Sequence, residues 1–138
     1  MNDKKRILFV DDDELILSCF QRLLGRRFVI DVAAGPAQAL QAIETNAPYA
    51  AVVTDMRMPG MSGLELLTRA KQTSPETIGV LMSGNTELDE LDQALRDRTV
   101  FKVVHKPFPA DELIAILDEA LMQSDAPSRG KKYSSEIV

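Results

Sequence analysis

Cysteine and histidine are nearly missing from this sequence, which has one of each, Cys19 and His105, in 138 residues. A single cysteine excludes an internal disulfide framework and a multi-cysteine zinc site. A single histidine argues against a His-rich metal centre, and against a serine or cysteine hydrolase that needs an imidazole beside its nucleophile. No apolar run approaches the roughly 18–20 residues of a membrane span. The polar segment Met1 to Arg6 precedes only a four-residue apolar run, so no secretory leader is expected. The expected location is the cytoplasm. A basic surface is also lacking, since 16 Lys and Arg stand against 21 Asp and Glu, a net charge of −5. Proteins that hold nucleic acid by its phosphates carry a basic stripe. Direct nucleic-acid binding is therefore not expected, nor is membrane association.

What the chain does have is length for one domain and apolar content for a core. Domains run to roughly 100–200 residues, and 45% hydrophobic with 27% charged residues is ordinary globular composition. Short apolar runs alternate with longer amphipathic stretches. Ile7 to Val10, Phe28 to Ala33, Tyr49 to Thr54, Thr77 to Met82 and Val100 to His105 read as strands. Continuous apolar runs of this kind fit strands buried on both faces, as in a parallel sheet. Between them, Leu15, Ile16, Cys19, Phe20, Leu23 and Leu24 recur at helical spacing, with Gly25 as a stop. Pro36 opens a second helix carrying Ala39, Leu40 and Ile43. Ser62 and Glu65 form a capping-box pattern ahead of Leu64, Leu67 and Ala70. A fourth helix runs from about Thr86 to Asp97, with Leu88, Leu91 and Leu95 on one face. The last begins at Pro109 and turns Leu113, Ile114, Leu117 and Leu121 inward. This order predicts an α/β fold, a single doubly wound (βα)5 domain with helices on both sheet faces. Residues 124–138 are Ser-, Lys- and Gly-rich without periodicity, and are expected to be a polar tail or linker after a domain spanning 1–123.

In open α/β sheets, ligands bind at the carboxyl ends of the strands. Those ends deliver Asp11 and Asp12, then Asp55, Ser83 and Lys106. Two carboxylates about 4 Å apart repel by roughly 4 kcal/mol at an effective dielectric near 20. A hard divalent cation is the natural compensation, and magnesium takes carboxylate oxygens while keeping waters for phosphate oxygens. Asp13 stands where the first helix begins and is expected to cap it. A carboxylate can also act as a covalent nucleophile toward phosphorus, in chemistry that depends mostly on positioning and charge neutralisation. Gly60 and Gly63 would let the loop after Asp55 turn tightly.

Ile7 to Asp12 (ILFVDD), Val52 to Gly63 (VVTDMRMPGMSG), Leu81 to Gly84 (LMSG) and Lys106 to Phe108 (KPF) stand in an order and spacing that resembles the receiver domain of bacterial two-component response regulators. The resemblance covers Lys5 to Gln123. It implies a flavodoxin-like five-stranded parallel sheet of order 2-1-3-4-5. It implies that Asp55 accepts a phosphoryl group from a phosphohistidine on a sensor histidine kinase or a histidine phosphotransfer protein. Asp12 would be a direct Mg2+ ligand, Asp11 its partner acting through water, and the carbonyl of Arg57 the third protein ligand, beside Asp55 itself. Ser83 would hydrogen-bond the phosphoryl group and Lys106 would pair with its oxygens. The Lys106–Pro107 bond would be cis. The domain would be a signalling phosphoacceptor rather than a turnover enzyme, passing its state to a downstream output domain or protein, with phosphorylation-dependent homodimerisation as one route.

The pattern departs from the family at Val103, where an aromatic is common, and at Ile116, where regulators that dimerise above DNA-binding domains carry arginine. Phe101, two residues before Val103, would share its strand face by period-two alternation. Arg57 and Asn85 flank the site and would influence hydrolysis of the phosphorylated form. His105 is expected to be an ordinary strand-end residue, and Met56, Met58 and Met61 packing residues rather than a soft-metal site. Cys19 is expected in the core, as are Leu15 and Ile16, which if exposed would help dock a partner helix bundle. Two other readings compete. One is a receiver-like interaction module that is never phosphorylated. The other is a haloacid-dehalogenase-like phosphatase using Asp11-x-Asp13, which leaves the segment after Asp55 without a role.

Overall fold

The computed structural model describes residues 5–46, 48–84 and 88–124. Ten elements follow in strict alternation: β1 Arg6–Asp11, α1 Glu14–Leu24, β2 Val29–Ala34, α2 Pro36–Asn46, β3 Ala51–Asp55, α3 Gly63–Thr73, β4 Ile78–Ser83, α4 Leu88–Arg96, β5 Lys102–His105 and α5 Ala110–Gln123. The five strands form one parallel sheet of order β2-β1-β3-β4-β5. Both the fold class and the strand order agree with the sequence reading.

Strand alternation divides the core in two. Leu8, Val10, Val52 and Leu81 face a cluster with Ala39 and Ile43 of α2, Leu66, Leu67 and Ala70 of α3, and Leu91 and Ala94 of α4. Ile7, Phe9, Val53, Val80, Met82 and Val104 face Leu17 and Leu24 of α1 and Leu113, Leu117 and Ala120 of α5. Each central strand is built around an apolar run because both of its faces are covered.

Caps set where the helices begin. Asp13 accepts the Leu15 N–H at 2.9 Å and so starts α1. Ser62 accepts the Glu65 N–H at 3.1 Å and starts α3. The Glu65 carboxylate, the other half of the capping box, pairs instead with Arg69 one turn on, at 3.1 Å. Residues 125–138, which hold nearly all of the expected tail, lie outside the described residues, as do Asn85 and Thr86.

Several side chains lie elsewhere than the sequence suggested. Helix α1 has a narrow polar stripe of Glu14, Ser18, Gln21 and Arg22 and a broad apolar arc, so its spacing supported more than one inward face. The structure buries Leu17 and Leu24 and leaves Leu15 77% and Leu23 59% exposed. Cys19, between those two on the outer stripe, is exposed rather than in the core. In α3 Leu67 and Ala70 are buried as expected, but Leu66 is buried with them and Leu64 only half-buried. In α4, Ala94 turns inward and Leu95 is 40% exposed. Phe101 does not share a face with Val103. β5 begins only at Lys102, so the alternation does not reach Phe101, which packs with the α1 and α5 cluster while Val103 packs with the other.

Candidate functional site

The site forms where four parallel strands end together. β1 ends at Asp11 and continues into Asp12. β3 ends at Asp55, β4 at Ser83, and β5 one residue before Lys106. Register holds these ends level, since Asp55 pairs with Met82 and Ser83 with His105. The Met56 N–H donates to the Met82 carbonyl at 2.9 Å, and the Lys106 N–H to the Ser83 carbonyl at 2.8 Å. The chain is thereby held to β4 one residue beyond each neighbouring strand. All five polar groups expected at this edge come together.

Asp11, Asp12 and Asp55 each offer a carboxylate oxygen, and these oxygens lie within 4.8 Å of one another. Asp12 is exposed, Asp55 half-buried and Asp11 buried. One Asp11 oxygen accepts the Asp13 N–H at 2.9 Å, whereas Oδ2 is buried with no hydrogen-bond partner among the described residues. Burial, as the largest cause, holds the Asp11 pKa above the usual carboxylate value. The Asp13 N–H and Lys106 oppose that shift, and the neighbouring charges of Asp55 and Asp12 add to it. Lys106 reaches across from β5, its Nζ donating to Asp55 Oδ1 at 2.7 Å.

An orphaned carboxylate oxygen beside two more carboxylates is the donor set a hard cation takes. The residues present therefore fit magnesium. Beside them opens a cleft of about 260 Å3 lined by Asp55, Met56, Arg57, Ser83, Gly84 and Lys106. It brings Arg57, the backbone ligand implied by the resemblance, alongside the Asp55 carboxylate, the Ser83 hydroxyl and the Lys106 ammonium.

The loop from Asp55 to α3 turns at Gly60, whose φ of +89° favours glycine. Gly63 serves differently, because a Cβ there would overlap the Asp55 carbonyl oxygen. Close approach, rather than an unusual φ, is what requires glycine at that position. The Lys106–Pro107 bond is cis.

Asp13, whose side chain caps α1, is engaged away from the three-carboxylate group, which leaves the Asp11-x-Asp13 phosphatase arrangement without its second acid. His105 is exposed at its strand end. Met56 and Met58 are buried in the core, with Met61 packed against them. Ile116 packs against the α1 and α5 cluster. One polar residue that the sequence reading passed over is Thr54, the fully buried neighbour of Asp55. A hydroxyl closing an otherwise apolar strand was the signal available for it.

Residues 7–118 match the model of the response regulator receiver domain. The DNA-binding transcriptional regulator NtrC of Escherichia coli K12 is 33% identical over 113 residues, 81% of this chain and 24% of that protein. The transcriptional regulatory protein FixJ of Bradyrhizobium diazoefficiens is 30% identical over 139 residues, covering 100% of this chain and 67% of that protein. The chain thus spans about a quarter of NtrC and two-thirds of FixJ. Among solved structures, the response regulator protein TrrA of Thermotoga maritima, in complex with Mg2+ and BeF, superimposes with a TM-score of 0.71 at 28% identity, covering 85% of this chain and 99% of that one.

Proposed function

This chain belongs to the response regulator receiver domain family, and on that premise we propose that it is a magnesium-dependent phosphoacceptor switch with Asp55 as nucleophile. One observation carries the reading: Lys106 holds the Asp55 carboxylate at 2.7 Å while Asp11 and Asp12 converge on it within 4.8 Å. The donor would be a phosphohistidine on a sensor histidine kinase or a histidine phosphotransfer protein. An Asp55 carboxylate oxygen attacks phosphorus, a P–O bond forms as the P–N bond breaks, and the electron pair returns to the imidazole nitrogen.

Asp11, Asp12, Asp55 and the carbonyl of Arg57 would hold Mg2+, whose charge offsets that of the phosphoryl oxygens when it is bound. Lys106 supplies a second positive charge from the far side of the cleft. Ser83 closes β4 at the same edge and offers its hydroxyl to the phosphoryl group. The reading is supported by TrrA, a fold relative that was solved in complex with Mg2+ and BeF.

Phosphorylation can shift the domain only as far as the added group interacts differently with its two states. The shift would pass to a downstream output domain or protein in the cytoplasm, with residues 1–123 as the switch and 124–138 as the link to it. Leu15, exposed two residues after the capping Asp13, offers an apolar foothold for the phosphodonor beside the site. Intact-mass measurement with Mg2+ and acetyl phosphate, beside Asp55→Asn, tests the reading. The expected result is one phosphoryl adduct that requires magnesium and is absent from the variant. An adduct retained by Asp55→Asn would overturn the assignment.

A further inference from the structure

Burying a hydroxyl costs about 1–3 kcal/mol unless it is hydrogen-bonded, so Thr54 at the end of the buried strand β3 needs a reason. It is fully buried, and the residues before it in β3, Ala51, Val52 and Val53, are apolar. Valine has nearly the same shape and would suit the strand at least as well.

The surroundings supply the reason. The pairing of β1 with β3 ends at Val10 and Thr54, so Asp55 lies one step beyond it. Its carbonyl oxygen is also pressed against Gly63, where even a Cβ would not fit. The Thr54 hydroxyl donates to that same carbonyl at 3.0 Å and lies 3.9 Å from the Met58 sulfur. A backbone carbonyl thus sealed beneath the start of α3 is held by the side chain preceding the nucleophile.

We infer that Thr54 is a positioning residue. Its hydroxyl fixes the peptide plane after Asp55, and so sets both the Asp55 carboxylate and the Arg57 carbonyl two residues on. The inference rests on the proposed function for the identity of the ion and the nucleophile. Its geometry is independent of phosphoryl transfer.

The test compares the full chain with Thr54→Val, which keeps the shape and loses the donor, and Thr54→Ser, which keeps the donor. Mg2+ affinity is read by NMR titration, and the rate of adduct formation from acetyl phosphate by mass spectrometry. The expected result is that Thr54→Val binds Mg2+ roughly three- to ten-fold more weakly, the range for one lost hydrogen bond, and is phosphorylated more slowly. Thr54→Ser should stay near the parent in both. Thermal melting separates this from a folding defect, since Thr54→Val should melt within a few degrees of the parent.

Parent-like Mg2+ affinity in Thr54→Val, or failure of Thr54→Ser to recover it, would overturn the positioning role. If the three proteins rank as expected in Mg2+ affinity but none takes a phosphoryl group, the positioning role stands and the phosphoacceptor reading fails.

Discussion

The two ends of the sheet treat charge in opposite ways. At the carboxyl edge, three carboxylates converge and the buried Asp11 Oδ2 has no hydrogen-bond partner among the described residues. At the amino edge, charges and hydroxyls are matched by side-chain and backbone partners. Tyr49 is buried and donates to Asp31 at 2.6 Å. Arg6 pairs with the same carboxylate and lies 5.0 Å over the Tyr49 ring. Thr77 donates to the Tyr49 carbonyl at 2.7 Å, and Lys5 donates to the carbonyls of Leu121 and Ser124 at 3.0 and 3.1 Å. Strands of this length separate the two edges by about 17–20 Å. One edge is organised for stability, while the other retains an electrostatic cost that a ligand would relieve.

Three substitutions bear on that contrast. The largest stability effect should come from the amino edge, where Tyr49→Ala removes a buried ring and its hydrogen bond. Denaturant unfolding should show a loss of about 3–5 kcal/mol, with Mg2+ affinity nearly unchanged in the folded protein. Asp11→Asn should act in the opposite direction. Without metal it should gain about 1–3 kcal/mol by removing an unpaired buried charge, and its NMR spectrum should no longer respond to added Mg2+. A destabilised Asp11→Asn protein would mean that the carboxylate edge carries no such cost.

The smallest effect is confined to alkaline pH. Burial first, and then the hydrogen bond to Asp31, push the Tyr49 phenol up to about 12. The unfolded chain would ionise the same group near pH 10. Stability from the neutral phenol is complete below about pH 10 and falls as pH rises toward 12, because the unfolded state loses its proton first. Melting curves across that window should fall more steeply for the parent than for Tyr49→Phe.

The carboxylate edge was far more legible in the sequence than the packing of the helices. Asp11, Asp12, Asp55, Ser83 and Lys106 each stand at the end of an apolar run, and a parallel sheet brings such ends to one edge whatever covers its faces. Helix α1 carries Leu15, Cys19 and Leu23 on one stripe and Leu17 and Leu24 on another, so periodicity could not choose between them. The choice lies in tertiary packing, since Leu17 and Leu24 join Phe9 of β1 and Leu117 of α5 in one cluster on the same face of the sheet. Phe101 was misplaced for a similar reason, because the strand begins at Lys102, two residues later than the run from Val100 suggests. Thr54 was visible as a residue type, but its role depends on Gly63 approaching from nine positions away.

Helix α5 joins the two edges through a single element. It begins just after the segment that carries Lys106, and its C-terminal half is tethered by Lys5 and, through Asp118, by Arg27 at 2.6 Å. At 1.5 Å per residue, its 14 residues make a rod about 21 Å long. Between those ends Leu113, Leu117 and Ala120 bury its inner face along the sheet. A displacement of the loop bearing Lys106 would therefore be carried by the helix as one packed body from the carboxyl edge to the tether at Lys5, instead of fading within the nearest turn.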